Sequence, residues 1–422
     1  MRFRTLDEWL IWQATLHSRT IDLGLERIRE VADSLGLLEP GVPVITIAGT
    51  NGKGSCAAYM EAILQAAGYR TGTYTSPHLL RYNERIRING REVDDASLMD
   101  AFEAIDRARG ETSLSYFEFG TLAAFRLFRR AGVDVYILEV GLGGRLDAVN
   151  LLDADVALIV SVGLDHSDWL GHDAETIGRE KAGILRPNRP AVFAGALMPS
   201  SISEVAHRFH TPLLQAGRDY TWTVNEDGSW DWQGVAGSYS TLPEPGIPGR
   251  VQYANAAGVV AALREIACRL PVSATAIRRG LLAGRLDGRL QRLPGAVEWL
   301  LDVAHNADSA RVLADTLNRD RPLGRRLAVV ALMRRKDREA VLAPLRDLMD
   351  GWYLLVLPEA DTWSPEELQS CLPAGRVLGA GEAASLLPVL NASLRDGDQV
   401  VVFGSFRTVE EVLRYRIAST AA

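Results

Sequence analysis

The stretch that most constrains this fold is VITIAGTNGKGSCAAYMEAILQAAGYRTGTYTS, residues 44–76. VITIA reads as a buried strand, GTNGKGS as a glycine-rich turn, SCAAYMEAILQAAG as a helix ended by Gly68, and RTGTYTS as a second strand. That order builds a parallel βαβ unit and puts the turn at the carboxyl edge of a sheet, where open α/β sheets bind ligands. In the common phosphate loop, G-x-x-x-x-G-K-[ST], a hydroxyl residue directly follows the lysine. Here Gly52-Lys53 is followed by Gly54, the hydroxyl comes at Ser55, and Ile47 stands where the first glycine belongs. Two readings stay open, a nucleotide site of another kind or a plain glycine-rich turn with a solvated lysine. The strand–helix context favours the first. Backbone N–H groups of Gly49, Thr50, Asn51, Gly52, Lys53, Gly54 and Ser55 can approach phosphate oxygens at a helix N-terminus, while the Lys53 ammonium reaches the terminal phosphates.

The pattern continues along the chain. VDVYILEVG (133–141) and ADVALIVSVG (154–163) are near-continuous apolar runs, as expected of parallel strands covered on both faces. Leu6 to about Leu38 has helical spacing. Residues 217–250 differ: YTWTVNEDGSWDWQG alternates around Asp-Gly and predicts a hairpin, with Trp222, Trp230 and Trp232 as packing residues. A helix, YANAAGVVAALREIACRL, leads to GRLDGRLQRLPG. Beyond it, VEWLLDVAH, RLAVVAL, GWYLLVLP, GRVLGA and QVVVFGS read as strands of a second, smaller open α/β sheet. A chain of 422 residues exceeds one hydrophobic core. The expected fold is therefore α/β, a mostly parallel sheet domain carrying the phosphate loop and a small β side sheet (1–288), then a Rossmann-like α/β domain (296–422), with 289–295 as linker.

A net charge of −7, without a long basic run, argues against nucleic acid as the main partner. Cys56, Cys268 and Cys371 are too scattered for a disulfide framework or a cysteine zinc site, which fits a reducing compartment. Asp7 and Glu8 interrupt the place of a signal-peptide core, and no apolar run reaches a membrane span. A soluble, cytoplasmic protein is expected.

Four strand ends bring polar groups to one edge. One carries the loop. The next ends in Thr75-Ser76-Pro77-His78. A third carries Glu139, then Arg145, Asp147 and Asn150. The fourth delivers Asp165, His166 and Asp168. A carboxylate such as Glu139 at the end of an apolar strand needs a partner, because burying it alone costs several kcal/mol. An ion pair with Arg145 or Arg179 is one solution. A cation held by Ser76, Glu139 and His166 is the other, and phosphates nearby suit Mg²⁺, which takes few protein ligands. On local evidence Lys181 is a solvated or ion-paired helix lysine. Asp302, followed by His305 and Asn306, is either a helix cap or a contact for a ribose or phosphate. His17, His78, His172, His207 and His210 read as loop, surface or structural residues.

GTNGKGS, TSPHL, YFEFGTLAAF, LEVGLGGRLDAVN, LDHSDWLG, IGREKAGI, DVAHN and FGSFRTV occur in this order. Together they resemble the bacterial folylpolyglutamate and dihydrofolate synthases of the Mur ligase superfamily, over nearly the whole chain from Thr20. The resemblance implies ATP-dependent amide formation. A carboxylate takes the γ-phosphoryl group of ATP to give an acyl phosphate, and the amine of L-glutamate displaces phosphate. It implies Thr50 to Ser55 around the phosphates and Lys53 on the transferring group. It further implies Ser76, Glu139 and His166 as Mg²⁺ ligands, and a carbamylated Lys181 that supports a second ion and replaces the plain-lysine reading. Asn255, Arg289, Asp302 and His305 become nucleotide contacts. The pterin site falls to Ile21, Asp22, Leu23 and Gly24 of TIDLG, to Ser115, Tyr116, Phe117 and Glu118, and to Leu146, Asp147 and Ala148. An acid suits a pterin, since it can accept two N–H bonds from the 2-amino-pyrimidinone edge, and Phe117 can stack on the ring. Val149 departs from the threonine usual in this motif and is expected to reshape the pocket slightly. Dihydropteroate and reduced folates are the expected acceptors and a monomer the expected state. A folylpolyglutamate synthase alone, or a Mur-type ligase with another acceptor, are the alternatives. A UDP-sugar substrate is disfavoured, because only about forty helical residues precede the loop.

Overall fold

The computed structural model describes residues 2–19, 21–235, 237–358 and 361–421, with backbone alone at Ser167 and 419–421. Thr20, part of the expected pterin segment, lies outside the described residues. The chain divides into two compact units, Met1–Gly246 with Gln252–Arg285, and Ile247–Val251 with Leu286–Ala422.

Among the described residues the first unit holds an eight-stranded sheet. Its strands are β1 (Val44–Ala48), β2 (Thr71–Tyr74), β3 (Ile86–Ile88), β4 (Arg91–Glu92), β5 (Val135–Glu139), β6 (Val156–Ile159), β7 (Ala191–Phe193) and β8 (Leu213–Gln215), in the order β4-β3-β2-β5-β1-β6-β7-β8. β2, β5, β1, β6, β7 and β8 run parallel, and β3 and β4 add antiparallel pairings at one edge. β1 is central and buried at every residue, as an apolar run covered on both faces must be. The helix Lys53–Ala66 starts directly at the loop lysine. It lies so close to the helix Ala274–Ala283 that a Cβ on Gly280 would come within 2.5 Å of Ile63 N. β3, β4, β7 and β8 were not legible in the sequence, because two or three residues show no periodicity.

The helical pattern of 6–38 resolves into two helices, Leu6–Leu16 and Glu26–Ser34. The break falls where Asp22 binds His17 and Arg27, local side-chain bonds that compete with helix continuation. The predicted hairpin is present as β9 (Tyr220–Val224) and β10 (Trp230–Gly234), joined by β11 (Gly237–Leu242) into a three-stranded antiparallel sheet. Trp230 and Trp232 are buried, and their indole N–H groups donate to Pro243 O and Ala257 O, so they pack.

The second unit is a six-stranded sheet of β12 (Gln291–Leu293), β13 (Glu298–Leu301), β14 (Arg326–Val330), β15 (Gly351–Val356), β16 (Val377–Glu382) and β17 (Gln399–Phe403). Its order is β12-β13-β17-β14-β15-β16. All pairings are parallel except β12–β13. The 289–295 stretch, expected as linker, thus carries an edge strand of this sheet. Trp352 and Phe403 anchor its core. Among the described residues no helix is long and apolar enough to cross a membrane.

Candidate active site

The loop after β1 is laced to the segment after β6. Thr50 N donates to Ser161 O (3.0 Å), Asn51 N to Ser161 Oγ (2.9 Å), and Gly163 N to Thr50 Oγ1 (3.0 Å). Gly52 adopts φ +87°, and a Cβ there would stand 2.8 Å from both Asn255 Oδ1 and Val160 Cγ1, so the position demands glycine twice over. Asn255, distant in sequence, therefore meets the loop. Its Nδ2 donates to Gln252 Oε1 (3.0 Å). Lys53 curls back so that Nζ donates to Gly49 O (2.9 Å), while Ser55 is buried in the first helical turn. Ser161, whose hydroxyl holds Asn51 from the segment after β6, was not among the residues expected at the site.

Glu139 ends β5 beside Ile47 of β1, is 5% exposed, and its Oε2 accepts the Ser76 N–H (3.0 Å). Both arginines considered as its partners are engaged elsewhere, Arg145 with Glu180 (2.9 Å) and Arg179 with Glu204 (3.2 Å). His166 holds φ +53°, a left-handed conformation uncommon for a residue with a side chain, and its Nε2 lies 4.0 Å from Asp165 Oδ1. Among the described residues no group of three or more His, Cys, Asp or Glu could hold a metal. The donors that remain are mixed: a buried carboxylate with a serine beside it, and a half-exposed imidazole. A hard cation that keeps most of its waters fits such a set.

Lys181 ends the helix Ala174–Lys181 and is 3% exposed. Burial, reinforced by the Lys53 charge and opposed by Asp165 and Asp147, lowers its ammonium to about 7. The glycine-rich segment after β5 docks on this helix end. Arg145 N donates to Glu180 O (2.9 Å), and a Cβ on Gly144 would strike Glu180 O at 2.7 Å. Asn150 Nδ2 ties the same segment down, donating to Arg145 O and Gly183 O.

Asp147 sits in that segment, 2% exposed, with Oδ2 accepting from Leu142 N (2.8 Å) and Oδ1 from Val149 N (3.1 Å). Burial raises its carboxyl to about 7 against these amides, that of Gly141 and Lys53. Each carboxylate oxygen keeps acceptor capacity for a ligand donor. Phe117 packs over Gly141, where a Cβ would meet its Cζ at 2.6 Å, and lies 5.7 Å from the Tyr74 ring. Phe117 and Asp147 are thereby brought to one place. Tyr116 faces Tyr82 and lies under the Arg85 guanidinium. Leu146 is half-buried and Ala148 buried beside the acid. Val149 is fully buried in the hydrophobic core. The departure from threonine therefore bears on packing rather than on a pocket wall.

Ser115 and Glu118 close a capping box at the start of the helix Tyr116–Ala131, and Arg27 bridges Glu118 (2.9 Å) to Asp22 (2.5 Å). His17 also holds Asp22 (3.0 Å) and pulls its carboxyl below the usual range. Asp22, Ser115 and Glu118 are thus engaged in fastening half-buried Ile21, Leu23 and Gly24 to the helix start. Arg27 and His17 are the fasteners that sequence reading passed over.

In the second unit Asp302 is no helix cap. Its Oδ2 accepts from Leu290 N (2.9 Å) and Oδ1 from Ala304 N (2.8 Å), while Asn306 caps the helix Ala307–Arg319. Burial raises the Asp302 carboxyl, and Arg289 opposes the rise. Arg289 lies 5.2 Å over the Phe406 ring and His305 stands 6.5 Å from it, so three expected nucleotide contacts gather with Phe406 past the end of β13.

A glycine loop at a helix start, a buried acid and a buried lysine at one parallel-sheet edge, followed by a second open sheet, define an ATP-dependent ligase of the Mur type. The chain matches the Mur ligase middle domain over residues 47–196 and the Mur ligase glutamate ligase domain over 288–406. It is 44% identical to the dihydrofolate synthase/folylpolyglutamate synthase of Escherichia coli (strain K12) over 408 residues, 97% of this chain and 94% of that one. It is 38% identical to the protein of the same name from Haemophilus influenzae, across 96% of each. Among solved structures it resembles E. coli FolC in complex with DHPP and ADP, with TM-score 0.93, 42% identity and 99% of each chain covered. A bifunctional folylpolyglutamate synthase/dihydrofolate synthase with Mn, AMPPNP and L-glutamate bound gives TM-score 0.90 at 42% identity, covering 99% of this chain and 98% of the other. The chain belongs to the dihydrofolate synthase/folylpolyglutamate synthase family.

Proposed function

We propose that this protein joins L-glutamate to dihydropteroate, forming dihydrofolate, and to the γ-carboxyl of reduced folates, driving both with ATP through an acyl phosphate. The observation that carries the reading is the placement of Asp147 and Lys181 together: one glycine-rich segment brings a pterin-reading acid to the helix end that holds the lysine facing Lys53. The loop amides and Lys53 hold the phosphates and neutralise charge on the transferring group, the main demand of phosphoryl transfer. Ser76, Glu139 and His166 would hold Mg²⁺, with Lys181 supporting a second ion. When bound, the metal supplies charge neutralisation between phosphate and carboxylate oxygens. Asp147 accepts the pterin N–H groups and Phe117 stacks on the ring, which fixes the acceptor's far end. Asn255, Arg289, Asp302 and His305 orient the nucleotide.

The burial of Lys181 beside Lys53 supports its carbamylation. A buried ammonium facing Lys53 is costly, and the amine nitrogen adding CO₂ with loss of a proton turns it into an anion that Lys53 attracts. The protein acts as a cytoplasmic monomer. The test is ATP turnover with each co-substrate omitted in turn. ADP release that needs both glutamate and a pteroate or folate is expected. Turnover stimulated by neither would refute the ligase reading.

A further inference from the structure

The stretch between the first two helices is held in place by side chains. Among the described residues of 18–24, none takes part in a backbone-to-backbone hydrogen bond, so no helix or strand ladder fixes it. Arg27, in the first turn of the helix that follows, does most of the holding. Its Nη1 donates to Asp22 Oδ2 (2.5 Å), its Nη2 to Asp22 O, and its Nε to Glu118 Oε2 (3.0 Å). One planar fork thus grips Asp22 by side chain and backbone, and ties both to a carboxylate whose side chain is 4% exposed. His17 takes the other flank, with Nε2 at 3.0 Å from Asp22 Oδ2 and Nδ1 at 2.5 Å from Ser113 Oγ. Exposed Arg19 lies 3.7 Å from Asp22.

Glu118 is itself anchored. Its Oε2 also accepts from Ser115 N and Ser115 Oγ (both 2.8 Å), which closes the first turn of the helix Tyr116–Ala131. Phe117 stands in that turn, packed over Gly141 of the segment that carries Asp147. Contacts therefore run from Ile21–Gly24 through Asp22, Arg27 and Glu118 to the turn bearing Phe117, all inside the first unit.

We propose that Arg27, backed by His17, is a positioning residue for the acceptor. It sets the distance between the Ile21–Gly24 segment and Phe117, and with it the width of the slot that receives the pterin ring. The proposal rests on the reading of Ile21–Gly24, Phe117 and Asp147 as the pterin site. A wall without a backbone ladder takes its position from side-chain bonds, and a ring is held only as well as the spacing of its walls is kept. Lysine in place of Arg27 keeps a cation beside buried Glu118. As a point charge it cannot hold Glu118, the Asp22 carboxylate and Asp22 O at once.

The test compares Arg27→Lys, Phe117→Leu and the double variant with wild type. Steady-state kcat and KM are measured for dihydropteroate, ATP and L-glutamate, and amide hydrogen exchange of 18–25 is followed in the free protein. For Arg27→Lys, faster exchange across 18–25 is expected, with KM for dihydropteroate up about tenfold. Its kcat and its KM for ATP and glutamate are expected to stay within about twofold of wild type. In the double variant the increments should not add, because both act on one slot. Unchanged exchange, unchanged KM for dihydropteroate, equal rises for all three substrates, or additive increments overturn the positioning role and leave the pterin reading standing. An unchanged KM for dihydropteroate in Phe117→Leu, or a wild type that turns over no dihydropteroate, overturns the pterin reading itself. His17→Ala leaves the Arg27–Glu118 pair in place and should raise the same KM. It decides the question if Arg27→Lys does not fold.

Discussion

Lys181 shows how far one residue's meaning depends on its surroundings. Its sequence context is that of any charged residue on a helix, yet it is buried beside a second lysine and two acids. Lys181→Ala is expected to abolish ligation, and acetate supplied in the assay to restore part of it by standing in for the carbamate. Loss of activity without rescue, in a protein with an intact melting transition, would count against carbamylation. Asp147 gives a prediction with a pH sign. Its carboxyl is raised to about 7, so it is ionised above that value and protonated below it. Protonation replaces an acceptor by a donor, so KM for dihydropteroate should climb as pH falls through about 7, and Asp147→Asn should flatten the profile. On the proposed pterin role of the acid, Asp147→Ala should damage dihydropteroate use more than glutamate addition to tetrahydrofolates. Equal losses on both acceptors would show that it has no dedicated pterin role.

At the scale of elements, the phosphate-loop helix is positioned by backbone proximity more than by side chains. Gly280 lets the helix Ala274–Ala283 touch Ile63 at the backbone, where no rotamer change can make room. Gly280→Ala should therefore destabilise the protein by about 1–3 kcal/mol, as overpacking does, and raise KM for ATP with it. Thermal denaturation and nucleotide titration of the variant check both effects. The segment 141–150 is a second such element. Gly144 and Asn150 fasten it to the Lys181 helix, which couples the expected pterin acid to the expected catalytic lysine. These fastenings were not legible beforehand, because they pair residues thirty or more positions apart with no shared periodicity. The apolar strands were legible, since burial on both faces writes itself as an unbroken run of β-branched residues.

For the whole molecule, the readable part was the order of elements and motifs, and the unreadable part was which of them meet. Chelation tests the metal site at this scale. EDTA should abolish turnover, added Mg²⁺ or Mn²⁺ should restore it, and Mg²⁺ with ATP should raise the melting temperature above that with ATP alone, by linkage of binding to folding. By itself the sequence determined two α/β sheets, a phosphate loop with a displaced hydroxyl, and the polar groups at the ends of the strands. These are local matters of periodicity and glycine placement. Only the tertiary structure decided that Asn255 closes on Gly52, that Arg145 and Arg179 go to Glu180 and Glu204 rather than to Glu139, and that Val149 faces the core. Partner choice among distant side chains is settled by packing, and packing has no one-dimensional signature.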